Sequence, residues 1–75
     1  MKSVTIKIET QADALVLTDK LIKYSYDIDM QVGHIIIDAK SILGVLGFGV
    51  GKSVRLNINT DDNRALLDDI ACYIV

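Results

Sequence analysis

Residues 41–53, SILGVLGFGVGKS, form the part of the chain most suggestive of phosphate binding, since they hold four of its five glycines and end in Gly51-Lys52-Ser53. A phosphate-binding loop has the pattern GxxxxGK[ST] and joins a strand to the first turn of a helix, whose amides cradle the phosphate. The first glycine of that pattern would stand at position 46, which is occupied by Leu46. A nucleotide-binding enzyme that uses Gly47–Ser53 is therefore the weakest of the functions considered.

Other residues with reactive side chains are few. The single histidine, His34, follows Gly33 in a predicted hairpin turn, with no arginine near it in sequence. The single cysteine, Cys72, excludes an internal disulfide and a cysteine-based zinc site, and its apolar neighbours predict a buried thiol. Aspartates 61 and 62 fit the first turn of a helix. The sequence thus predicts no metal site and no cofactor.

Length and charge limit the remaining possibilities. The 75 residues are enough for one domain, residues 1–75, and 51% of them are hydrophobic. The net charge of -2 lacks the positive field that binding to a phosphate backbone requires, so nucleic acid is not an expected partner. No signal peptide or run long enough to span a membrane is present, which predicts a cytoplasmic protein with no membrane partner.

Hydrophobic periodicity predicts the elements in the first half of the chain. Val4, Ile6 and Ile8 alternate with polar residues, as in a strand with one buried face. Apolar residues at spacings of three and four then predict a helix over residues 12–24, with Thr10 or Asp13 as its cap. Residues 28–32 and 35–38 read as two strands of a hairpin.

The second half begins with Ser41, a predicted N-cap of a short helix that the glycines at 47, 49 and 51 end through left-handed turns. Residues 54–58 alternate as a fourth strand, and Thr60-Asp61-Asp62 is the predicted cap of a last helix. The buried stripe of that helix is predicted to contain Leu66, Leu67, Ile70, Ala71 and Ile74.

The resulting order, β-α-β-β-α-β-α, predicts an α+β fold: an open-faced sandwich whose four-stranded, mostly antiparallel sheet carries three helices on one face. The segment DAKSILGVLGFGVGKSVRLNI, residues 38–58, resembles the regulatory-serine segment of HPr, the histidine-containing phosphocarrier of the bacterial sugar phosphotransferase system. The matching residues run from Lys40 to Leu46, with Gly49 in the following turn, and KYSYDID at 23–29 resembles the entry to the second HPr strand. The element order is also that of HPr.

The resemblance fails at the phosphoacceptor. HPr proteins carry a histidine after the first strand, with an arginine two residues on. Residues 8–20 of this chain hold no histidine, arginine or proline. A gapless register puts Thr10 at the histidine position and Ala12 at the arginine position. The arrangement resembles the Crh-type branch of the family, which lacks the histidine and acts only in regulation.

The resemblance therefore implies a non-enzymatic regulatory or protein-interaction module of phosphotransferase-system and carbon catabolite control. Ser41 is its candidate phosphorylation site, and the candidate docking residues are Lys40, Ile42, Leu43 and Leu46. The implied partners are the serine kinase of the HPr system and its transcriptional regulator.

Two alternatives remain open. Ser41 is equally well explained as a cap beside core leucines, and the chain could be a diverged phosphocarrier whose acceptor is lost or relocated to His34.

Overall fold

The computed structural model describes residues 2–75. The elements follow the predicted order, with a short 3-10 turn added at the end. They are β1 (Lys2–Ile8), α1 (Gln11–Leu21), β2 (Ile28–Val32), β3 (Ile35–Asp38), α2 (Ile42–Phe48), β4 (Lys52–Ile58), α3 (Arg64–Asp69) and the 3-10 turn (Ala71–Tyr73).

All three pairings in the four-stranded sheet are antiparallel, and the strand order is β1-β4-β2-β3. Ile6 lies opposite Val54, and Met30 lies opposite Leu56, so apolar residues of neighbouring strands share one face. Because side chains alternate across a strand, the intervening polar residues, such as Arg55, lie on the other face. The predicted fold class is confirmed.

The core lies between this apolar face and the helices. Fourteen hydrophobic residues are buried and form one cluster: Ile6, Ile8, Ala14, Leu17, Leu21, Ile28, Met30, Ala39, Val45, Val54, Leu56, Ile58, Leu66 and Ile70. Each of the three helices contributes at least one of them. The helices are therefore held on the sheet by burial of one continuous apolar surface.

The start of α1 uses both residues that the sequence offers as caps. Thr10 Oγ1 accepts a hydrogen bond from the Asp13 backbone N–H at 3.1 Å, and Asp13 Oδ2 accepts one from the Thr10 N–H at 3.3 Å. This reciprocal capping box satisfies two backbone donors at the helix start. The helix ends at Leu21, three residues earlier than predicted.

The last fifteen residues differ from their prediction. The N-cap of α3 is Asn63 rather than the Thr60-Asp61-Asp62 run, and its side chain makes no capping bond. The helix ends at Asp69, after which the 3-10 turn leads into an isolated bridge between Ile74 and Ile6. Because the chain leaves the helical path, Ala71, Cys72 and Ile74 are exposed rather than buried, and the prediction for the cysteine was wrong.

Only one of the three glycines predicted to take left-handed turns does so. Gly51 has a φ of +83°, whereas Gly47 lies within α2 and Gly49 is its C-cap in a right-handed conformation. Gly49 is small for a different reason: a Cβ there would lie 3.1 Å from Met30 Sδ and 3.1 Å from the Val45 carbonyl oxygen. Among residues 2–75, no helix is long and apolar enough to cross a membrane.

Candidate functional site

The Ser41 segment is fixed by a tight turn between β3 and α2. Ser41 N–H donates to the Asp38 carbonyl at 3.0 Å, and Lys40 N–H donates to Asp38 Oδ1 at 2.9 Å. Ser41 is the N-cap of α2, as predicted, and its carbonyl accepts from Val45 N–H at 3.0 Å. Its side chain, however, makes no capping hydrogen bond and is exposed. The hydroxyl is therefore accessible from solvent.

Lys40 points back into the protein. Its ammonium donates a hydrogen bond to the backbone carbonyl of Tyr24, in the segment that follows α1, and the residue is half-buried. The Tyr24 hydroxyl in turn donates to Asp69 Oδ2 of α3 at 2.6 Å. The lysine predicted to meet a partner thus also ties the β3–α2 turn to the segment that follows α1.

The predicted docking residues of α2 divide by exposure. Leu43 is 81% exposed, the largest fraction among the large hydrophobic side chains described in residues 2–75. Ile42 and Leu46 are half-buried and pack against the core, and Val45 between them is fully buried. Phe48 was not predicted, yet it is 42% exposed at the end of α2, on the flank that carries Gly44.

Leu15 of α1 and Ile22, the C-cap of that helix, are apolar and 52% and 57% exposed. They are seven residues apart and so share one face of the helix, roughly opposite Asp13 and Lys20. Lys20 lies close enough to Asp69 of α3 for its charge to act on that carboxylate, and Asp13 lines a cleft with Tyr73, so α3 and the 3-10 turn lie on that opposite flank.

Helix α2 contacts both α1 and β3, whereas the 3-10 turn contacts β1 at the far edge of the sheet. Leu15 and Ile22 consequently lie on the α2 side of α1. We call the surface formed by Leu15, Ile22, Ile42, Leu43 and Leu46 the α1–α2 surface. The sequence indicates this surface in one way: α1 carries more apolar residues than its buried face needs.

Thr10 lies at the junction of β1 and α1, next to a cleft of about 380 Å³. The cleft is lined by Lys7, Glu9, Asp13, Cys72, Tyr73 and Val75. Burial raises the pKa of Tyr73, with smaller contributions from Cys72 and Asp13.

The threonine itself is poorly suited to phosphoryl transfer. Its Oγ1 accepts from Asp13 N–H, and Asp13 Oδ2 accepts from Thr10 N–H, so both side chains are used to start the helix. Glu9 and Asp13, which line the neighbouring cleft, would also repel a phosphate there.

His34 is exposed in the turn between β2 and β3, which confirms its predicted location. Gly33 supplies the positive φ of +61° that the turn requires. The turn is not the start of a helix, so no array of free amides is available there to hold a phosphate.

The glycine run has the wrong order of elements for a phosphate-binding loop. Gly47 lies within α2, and Lys52 and Ser53 belong to β4, so the run leads from a helix into a strand. A phosphate-binding loop leads from a strand into a helix. The lysine thus begins a sheet strand, with Ile8 as its pairing partner.

Comparison with solved structures identifies the architecture. The protein described as HPr-C-His from Thermoanaerobacter tengcongensis is 28% identical, with a TM-score of 0.78, covering 96% of this chain and 89% of that one. The fold is that of the HPr phosphocarriers. Two further HPr structures agree, although their identities are low enough to show the fold alone.

The HPr phosphocarrier of Bacillus anthracis is 17% identical, with a TM-score of 0.73 and coverage of 99% of this chain and 96% of that one. The histidine-containing phosphocarrier of a Mycoplasma is 18% identical, with a TM-score of 0.74 and coverage of 95% and 89%. No protein-family model matches the chain, and no curated protein matches its sequence. The likeness to HPr therefore lies more in the fold than in the sequence.

Proposed function

We propose that this HPr-like protein is a regulatory interaction module of phosphotransferase-system and carbon catabolite control that has given up phosphoryl transfer through histidine. The observation that carries the proposal is that an exposed Ser41, whose hydroxyl makes no capping bond, lies two residues before the exposed Leu43. At the other end of the helical layer, Thr10, which the gapless register puts at the position of the missing histidine, uses its side chain in a capping box.

The proposed modification is phosphorylation of Ser41 by a serine kinase of the HPr type. The serine oxygen bonds to the γ-phosphorus of ATP, the bond to the ADP oxygen breaks, and the hydroxyl proton passes to the kinase. The product adds about -1.5 to -2 charges at the edge of an apolar surface. A partner with a basic residue beside an apolar patch would bind the modified form more tightly than the unmodified one.

Docking is assigned to the α1–α2 surface, with Leu43 at its most exposed point. An exposed apolar patch of this kind often marks a protein interface. The occupant proposed is the regulator of the HPr system, as the resemblance of residues 38–58 implies. Lys40 stays a candidate for docking, although its ammonium is bonded to Tyr24 in the unmodified chain.

Mass spectrometry after incubation with an HPr serine kinase and ATP tests the modification. We expect one added phosphate on the wild type and on Ser53→Ala, a variant of another exposed serine, and none on Ser41→Ala. Phosphate on Ser41→Ala, or none on the wild type, would contradict the proposed site.

Docking is tested by titrating the purified regulator with the phosphorylated protein. Leu43→Asp should weaken binding at least about tenfold, because a charge replaces an anchor in the interface. Ile36→Asp is the matched control, since Ile36 is 62% exposed on β3 and outside the α1–α2 surface. Equal effects of the two variants would count against the assigned surface.

A diverged phosphocarrier is the second candidate, favoured only by the fold and by exposed His34. Phosphoenolpyruvate and the general phosphotransferase enzyme should leave the wild type unlabelled. Labelling that disappears in His34→Ala would establish this alternative instead.

A further inference from the structure

The hydrogen bond from Lys40 to Tyr24 connects the Ser41 site to the segment that follows the C-terminal end of α1. The charged lysine ammonium donates its hydrogen bond to a neutral backbone carbonyl, and Lys40 is half-buried. The next residue along the chain is Ser41, whose side chain is exposed and makes no capping bond.

A phosphate on Ser41 would be a stronger acceptor for that ammonium than the carbonyl is. The bond to the carbonyl has one ionised group, whereas a bond to the phosphate would join two groups of opposite charge and add their Coulombic attraction. Adjacent residues are also close enough for the flexible lysine stem to turn toward the phosphate. The carboxylate of Asp38, which accepts from the Lys40 backbone N–H, would be repelled by the same phosphate.

We propose that Lys40 is a phosphorylation-dependent switch: its ammonium is bonded to the Tyr24 carbonyl in the unmodified protein and moves to the phosphate when Ser41 is modified. This inference rests on the proposed modification of Ser41 and adds to it a conformational consequence. Release of the carbonyl loosens the segment that follows α1, which the Tyr24 side chain links to Asp69 of α3. Phosphorylation of Ser41 therefore changes the segment that follows α1, although the phosphate does not contact that segment.

The test uses the full chain made by chemical synthesis, with serine or phosphoserine at position 41 and ¹³C at the carbonyl of Tyr24. Unphosphorylated Lys40→Met supplies the resonance of a carbonyl without its lysine partner, because methionine keeps an apolar stem and removes the ammonium. Phosphorylation should move the wild-type resonance toward that of Lys40→Met and should leave the resonance of Lys40→Met in place. If the wild-type resonance is the same with serine and with phosphoserine, the proposal is overturned. That comparison uses the wild-type sequence alone and does not depend on the folding of a variant.

The phosphate supplies an independent measurement through ³¹P titration. Its second pKa, about 6 in a free phosphoserine, should be lower by about half a unit or more in wild type than in phosphorylated Lys40→Met. Lys52→Met is the charge-matched control, because Lys52 is exposed at the end of β4 that pairs with Ile8, far from the end that pairs with Ile28. Equal phosphate pKa values in the two lysine variants would overturn the switch.

Synthesis separates this inference from the function on which it rests. If the kinase fails to modify the protein but the synthetic phosphoserine moves the Tyr24 carbonyl, the proposed function fails and the switch stands. If the kinase modifies Ser41 but the carbonyl does not respond, the modification site stands and the switch is wrong.

Discussion

Two residues with hydroxyl side chains begin the two helices that frame the candidate site, and they serve those helices differently. Thr10 forms a complete capping box with Asp13 at the start of α1. Ser41 occupies the N-cap position of α2 without forming a side-chain bond. Sequence rules name both residues as caps, since they record which residues occur at a position and not which hydrogen bonds form.

We predict that Thr10→Ala lowers the free energy of unfolding by about 1 kcal/mol, because it removes an acceptor that the α1 amides use. Ser41→Ala should change it by less than about 0.5 kcal/mol, because an exposed side chain without a bond contributes little. Urea denaturation monitored by circular dichroism measures both. Thr10→Ser, which keeps the hydroxyl, is the control and should stay close to wild type. A loss of stability in Ser41→Ala as large as that in Thr10→Ala would mean that the serine does cap the helix in solution.

At the scale of elements, the bond between Tyr24 and Asp69 links the segment after α1 to α3. This hydrogen bond is the largest influence on both groups: it raises the pKa of Tyr24 from 10.0 to about 12 and lowers the pKa of Asp69. The charges of Lys20 and Lys23 lower the aspartate pKa further. The two shifts make the attachment of α3 dependent on pH at both ends of the scale.

Wild type should therefore lose stability in alkali more steeply than Tyr24→Phe. The tyrosine pKa is higher in the folded than in the unfolded protein, so its contribution is complete below pH 10.0 and declines as the pH rises to about 12. The aspartate pKa is lower in the folded protein, so its contribution is present above pH 3.8 and is lost as the pH falls through the folded-state value.

Thermal melts across the pH range, with tyrosinate absorbance as a second readout, measure this dependence. Tyr26→Phe is the control, because the ring of Tyr26 lies 5.7 Å from that of Tyr24, whereas the donor to Asp69 is the Tyr24 hydroxyl. Parallel pH profiles for wild type and Tyr24→Phe would show that the bond does not form in solution.

Most elements could be predicted because their burial follows one period. The strands alternate, the buried residues of α1 recur at three and four, and every predicted strand exists. The C-terminal region could not be predicted. The periodicity of residues 60–74 fits one long helix, whereas the structure has α3 followed by the 3-10 turn. The observed bridge between Ile74 and Ile6 is a long-range contact with the edge of the sheet, and local sequence patterns carry no information about such a contact.

The same limit applies to the candidate site. Leu43 and Ser41 were identified because the segment from 40 to 46 resembles a known motif. Leu15 and Ile22 were not, since their proximity to α2 depends on how the two helices lie on the sheet. The lysine–carbonyl bond between residues 40 and 24 likewise depends on tertiary packing and has no sequence signature.

At the scale of the whole molecule, all three helices rely on one core. The total stability expected for a 75-residue domain is about 4 to 11 kcal/mol. Leu56 is fully buried on β4, one of the two strands that are paired on both sides, so its side chain lies in the middle of that core. Removing three methyl or methylene groups from such a position costs about 2 to 5 kcal/mol.

Leu56→Ala should therefore lower the free energy of unfolding by about 2 to 5 kcal/mol, a large fraction of the total. Leu43→Ala removes the same atoms from a side chain that is 81% exposed, and should change the unfolding free energy by less than about 0.5 kcal/mol. Urea denaturation of the two variants beside wild type measures the contrast. A Leu43→Ala variant as unstable as Leu56→Ala would mean that Leu43 is buried in solution, which would remove the α1–α2 surface as a docking site. The predicted difference instead leaves Leu43 available to a partner at almost no cost to the fold.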